Sequence, residues 1–138
     1  MLLGRSVQRL WVLAIDQHGA LEFRQGDVEL LLDDGSHVFV TFDYDRGLVL
    51  RRGKAEFAPY ETLSDWFDLR RSHGVIVRVE LPESNLRSAL YGAPIEDINV
   101  GGDPNYPDLP ISVRIRTDKI SVLVGVEDTN CTVDFEPS

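Results

Sequence analysis

Apolar and polar positions alternate with a period of two over much of this chain, and that alternation predicts strands. In VELLLDDGSHVFVTF, from Val28, the residues Val38, Val40 and Phe42 alternate with Phe39 and Thr41, and Asp34-Gly35 is a dipeptide suited to the positive φ of a hairpin turn. Asp45-Arg46-Gly47 gives a second turn before LVLRR, so a three-stranded meander is expected from Val28 to Arg52. Upstream, SVQRLWVLAI is rich in strand formers and precedes a His18-Gly19 turn and a short LEF run, which predicts another hairpin.

The period changes between Thr62 and Arg71. Leu63, Trp66 and Phe67 fall at i, i+3 and i+4, Thr62 or Ser64 can cap the start, and Arg70-Arg71 suits the negative end of a helix dipole. A short amphipathic helix is expected there. VIVRVEL then alternates, with Val75, Val77, Val79 and Leu81 on one face. After Pro82, SNLRSALYG predicts a second short helix, with a Ser84 cap, the pair Leu86 and Leu90, and Gly92 as stop. The most regular stretch comes last. Ile111, Val113 and Ile115 share one face, Asp118-Lys119 turns the chain, and Ile120, Val122, Val124 and Val126 line the returning strand. Asp128-Thr129-Asn130 turns it again, and Cys131, Val133 and Phe135 share a face in a terminal strand. The predicted fold is α+β: a mostly antiparallel sheet of about eight strands in hairpins and meanders, with one or two short helices. No repeat of fixed period or glycine-serine linker divides the chain, so residues 1–138 are expected to form a single domain.

Composition agrees. A chain of 138 residues with 43% hydrophobic content can build one core without staples. The longest uninterrupted apolar run near the N-terminus, Leu10 to Ile15, is too short for a signal-peptide core or a membrane span. Cys131 is the only cysteine, which excludes an internal disulfide framework and fits a reducing compartment, so a cytoplasmic setting is expected. Net charge is −9, and most of it sits in the last third. Residues 96–138 carry Arg114, Arg116 and Lys119 against Glu96, Asp97, Asp103, Asp108, Asp118, Glu127, Asp128, Asp134 and Glu136, a balance of −6. A field of that sign repels nucleic-acid backbones and anionic lipid and attracts a basic partner; an acidic surface kept for solubility explains the same numbers.

Catalytic signals are thin. Cys131 shares a face with Val133 and Phe135, while His18, His37 and His73 fall at turns or strand ends, so the core reading of the thiol outweighs the nucleophilic one. No CxxC or paired-histidine spacing suggests zinc, and the Asp33-Asp34 and Asp43-Tyr44-Asp45 pieces read as turn chemistry rather than as a calcium loop. No cofactor motif is present. The Gly101-Gly102 pair opens no helix and is flanked by acids, which removes a phosphate cradle.

One segment stands out, EDINVGGDPNYPDLP from Glu96 to Pro110. Its prolines restrict φ, and Tyr106 is an amphipathic ring among Asp103, Asn105 and Asp108. Taken as a loop, it is either a stiff connector or a recognition patch made of Glu96, Asp97, Asp103, Asn105, Tyr106 and Asp108, with charge setting the on-rate and the ring supplying an anchor. Its place in the acidic third favours recognition. The expectation is therefore a non-enzymatic protein-binding module for a basic protein partner, in its most concrete form an acidic immunity protein or inhibitor of a toxin such as a nuclease. The competing expectation is a β-rich small-ligand domain or enzyme with a pocket that no motif advertises.

Overall fold

The computed structural model describes residues 2–17, 20–43, 45–54, 75–127 and 130–138. Nine strands and one short helix stand among these residues, in the order β1 (Val7–Gln17), β2 (Ala20–Leu32), β3 (His37–Asp43), β4 (Gly47–Arg52), β5 (Val75–Glu80), α1 (Ser84–Leu90), β6 (Asp97–Asp103), β7 (Tyr106–Arg116), β8 (Ile120–Glu127) and β9 (Asn130–Pro137). All strand pairings between them are antiparallel, so the expected α+β class holds. The helix expected over Thr62–Arg71 and the turn residues His18 and Gly19 lie outside the described residues.

The strands form a single curled half-barrel with the order β4-β3-β2-β9-β8-β7-β6, and β1 lies between β2 and β5. LEF and VELLL, separate runs in the sequence, belong to one long strand. Along β2, Ala14 pairs with Gly26 while the next residue of β1, Ile15, pairs with Glu22, so Phe23, Arg24 and Gln25 bulge away from β1. Within that bulge Gln25 pairs with Thr132 of β9, whereas Val28 to Leu31 pair with β3. One edge of β2 thus serves two neighbours in succession. Gly26 permits the bend: its φ is +144, and a Cβ there would lie 2.0 Å from the carbonyl oxygen of Leu13.

The concave side holds the core. Leu10, Val12, Val28, Leu30, Val38, Val40, Ile115, Val122, Val124 and Val133 are all buried there, as the alternation requires, and Phe42 and Phe135 pack at its margin. Helix α1 covers one end with Leu90 and Leu86. Ser84, expected as its cap, is instead its first residue; Glu83 holds the N-cap position, and Gly92, at φ +85, ends the turn beyond the C-cap Tyr91.

The largest departure from the sequence reading is Glu96 to Pro110, which is not a loop. Asp97–Asp103 is strand β6, Pro104-Asn105 is a tight turn, and β7 begins at Tyr106. Pro107 and Pro110 are tolerated because β8 pairs only with Val113 to Arg116, so the first part of β7 needs no amide hydrogens on that side. Strand β4 packs there instead, with Gly47 lying against Pro110.

That contact closes the curl, and two alanine substitutions test it. Gly35 and Gly47 both have left-handed φ, +84 and +76, but a Cβ at Gly35 meets open space while one at Gly47 would lie 2.3 Å from the oxygen of Pro110. Gly35→Ala should cost about 1 kcal/mol from backbone strain alone, and Gly47→Ala a further ~1–3 kcal/mol from overpacking, read as shifts of the urea midpoint. Equal losses would show that β4 does not press on β7.

Candidate functional site

The six residues read from the sequence as a recognition patch are strung along one hairpin. Strand β6 is the last in the sheet order and pairs only with β7 among the described residues. Asp97 and Asp103 sit at its two ends, about 20 Å apart at the usual rise per residue, too far to share one small ligand. At the base, Glu96 is exposed. Asp97 accepts hydrogen bonds from the Ile98 amide (3.0 Å) and Asn99 Nδ2 (3.2 Å) and lies 4.0 Å from Arg116. At the tip, Asn105 is exposed in the turn and the backbone of Asp103 pairs with Tyr106; Asp108 follows in β7. Between the ends, Val100 pairs with buried Val113 yet is 61% exposed, because no strand lies beyond it among the described residues. The whole segment Glu96 to Pro110 contains four acids and no cation.

The convex side of β6 to β9 bears a shallow groove of about 400 Å³. Gly101 and Gly125 leave it open, since a Cβ at either would press on Ser112 or Thr132. Of its charged lining residues, Arg114 and Asp134, Arg114 is paired with Glu136 at 2.5 Å.

A second cluster, which no sequence motif advertises, lies on the convex side of the other half of the sheet. Register aligns Phe39, Glu29, Trp11 and Glu80 in one row across β3, β2, β1 and β5. Glu29 is fully buried, a costly position for a carboxylate unless it is paired. His37 Nδ1 lies 2.8 Å from one of its oxygens, and Arg78 donates to the other at 3.1 Å. Trp11 stacks on His37, ring centroids 5.7 Å apart and planes at 15°, and carries the Arg9 guanidinium 4.7 Å above its own ring. Arg9 in turn binds Glu80, whose other oxygen accepts from the Tyr91 hydroxyl at 3.3 Å. The Arg9 bond holds the Glu80 carboxyl below the usual range. The signals were a lone acid inside VELLL and a tryptophan in the outward register of β1. What covers an outward face is not written in its own strand.

His37 also lines a cavity of about 440 Å³ at the mouth of the curl, where residues 2–5, the β2–β3 turn and the end of β4 meet.

Cys131 is a core residue, as its strand neighbours implied. It is 2% exposed, and its thiol is pushed up to about 12, first by burial and then by the adjacent Asp27 carboxylate, to which it is hydrogen-bonded. Burial raises Asp27 as well, with bonds from Thr41 and Cys131 opposing the rise. A thiol so held is a poor nucleophile. The Asp43 and Asp45 positions behave as turn chemistry: Asp43 accepts the Asp45 amide at 2.8 Å. Among the described residues no group of three or more histidines, cysteines and acids is gathered for a metal, and no helix is long and apolar enough to cross a membrane.

Against family models, curated proteins and solved structures, the chain matches none.

Two outcomes follow from these environments. Below about pH 9 the Cys131 thiol is protonated in both folded and unfolded chains. Above it the unfolded chain ionises first, so stability falls as pH rises toward 12. The stability difference between the parent and Cys131→Ala should therefore shrink by about 2 kcal/mol between pH 9 and 10.5, measured by urea unfolding, and a native thiol reagent should react slowly at pH 8. A constant difference, or rapid labelling, contradicts the buried placement. Separately, Arg78→Met should cost about 1.5–3 kcal/mol by removing a charged hydrogen bond from buried Glu29.

Proposed function

We propose that this chain is a binding module without catalytic activity that engages a basic protein partner through the β6–β7 hairpin. The single observation that carries the reading is the open edge of the sheet: β6 is paired on one side only among the described residues, bears acids at both ends, and exposes Val100 between them. An unpaired edge offers backbone groups to an extended segment, while like charges along it discourage pairing with a second copy of itself. The acidic balance of the last third steers a cationic surface toward this edge. In its most concrete form the partner is a toxin such as a nuclease, and the module is an immunity protein whose acids cover a phosphate-binding cleft. A cytoplasmic setting belongs to the same proposal.

Co-expression with the product of the neighbouring gene tests it. That product alone should arrest growth, and this chain should restore it. In vitro, Asp103→Lys with Asp108→Lys should chiefly slow association, and the difference from the parent should shrink as salt shortens the screening length to about 10 Å at 0.1 M. Tyr106→Ala should speed dissociation by roughly 30-fold, about 2 kcal/mol, for a buried anchor. A partner that binds the triple variant as tightly as the parent would reduce the hairpin to a connector.

A further inference from the structure

The cavity at the mouth of the curl lies outside this hairpin, and its lining has a definite chemistry. Its floor is apolar: Leu32 and Val38 are buried core residues, and Leu2 packs against the same core. Its volume, about 440 Å³, falls within the range of small-molecule sites, which favour barrel mouths.

The polar groups of the wall divide into those already engaged and those left over. Asp34 accepts the Ser36 amide at 3.0 Å and the Ser36 hydroxyl at 2.5 Å, bonds that hold its carboxyl below the usual range. Arg5 faces Asp33 at 3.6 Å and Asp34 at 3.7 Å, so its charge is balanced locally. Arg52 differs: it makes no ion pair among the described residues, and its position opposite Val38 in the β3–β4 register places it on the face where the cavity opens. His37 borders the cavity, but its ring lies on the convex side, bonded to buried Glu29 and stacked on Trp11, so it belongs to the other cluster.

We propose that this cavity binds a small organic carboxylate with a short apolar chain, the carboxylate on Arg52 and the chain on Leu2, Leu32 and Val38. Arg52 supplies a planar donor fork that matches a carboxylate. The apolar floor requires a body that a bare inorganic anion lacks. The site uses none of the hairpin residues, so it can fail or succeed independently of the proposed partner.

Hexanoate is the probe, with acetate and hexanol as comparisons lacking the chain or the charge. In amide NMR titrations of the whole chain up to about 20 mM, which reaches millimolar dissociation constants, hexanoate should give saturable shifts at Leu32, Ser36, His37 and Gly53. Acetate and hexanol should shift the same amides at least tenfold more weakly. Arg52→Gln, an exposed substitution, should weaken hexanoate at least tenfold. Arg51→Gln, its neighbour on the opposite face beside Asp43, should leave binding unchanged. Four results would overturn the site: no saturable shift at these amides, equal response to acetate or to hexanol, unchanged binding in Arg52→Gln, or equal losses in both arginine variants.

Discussion

The structure depends on one strand doing two jobs. Strand β2 pairs with β1 along one edge, while its other edge passes from β3 to β9 at the bend around Gly26. That bend requires a residue without a side chain, because the Leu13 carbonyl occupies the space a Cβ would take. Everything else hangs from this branch. The β3–β4 hairpin on one side and the β9-β8-β7-β6 meander on the other curl toward each other until Gly47 meets Pro110, and the core fills the space between.

The branch also collects the buried polar chemistry. Where β3 and β9 part company, Asp27, Thr41 and Cys131 meet, and the thiol and hydroxyl share the carboxylate. Two residues further along β2, Glu29 occupies the outward register and is satisfied by His37 from β3 and by Arg78, which reaches across from β5. A buried carboxylate with one partner removed is expensive, so such groups tie particular strands into particular registers. Among the described residues, the two proposed surfaces lie at ends of the sheet: the acidic edge at β6 and the mouth beside β4.

Much of the fold was legible in the sequence. Strands β7 and β8 alternate cleanly from Ile111 to Val126, and Val113, Ile115, Val122 and Val124 are buried as that alternation implies. The core placement of Cys131 followed from Val133 and Phe135 in the same register. Strand β6 was not legible, because a Gly-Gly pair and three prolines are loop punctuation in one dimension. Pro104 stays in the turn, and Pro107 and Pro110 are strand residues because β7 overhangs β8 and needs no pairing on its far side. The six patch residues were legible as a charged segment, though not as two groups at opposite ends of a hairpin. The Glu29 cluster and the cavity were hidden for another reason: their members come from strands far apart in sequence, and register across a sheet is not written in any one of its strands.

If the branch at Gly26 unites the two halves, they must unfold together. Native-state amide hydrogen exchange reads this directly, by comparing β3 around Val38 to Val40 with β8 around Val122 to Val124 in the parent and in Gly26→Ala. The expected result is one common free energy of opening for both strands in the parent and an equal drop in both when the Cβ is introduced. If one strand instead kept the parent's protection in Gly26→Ala while the other exchanged rapidly, the halves would be independent units and β2 would not be the element that joins them.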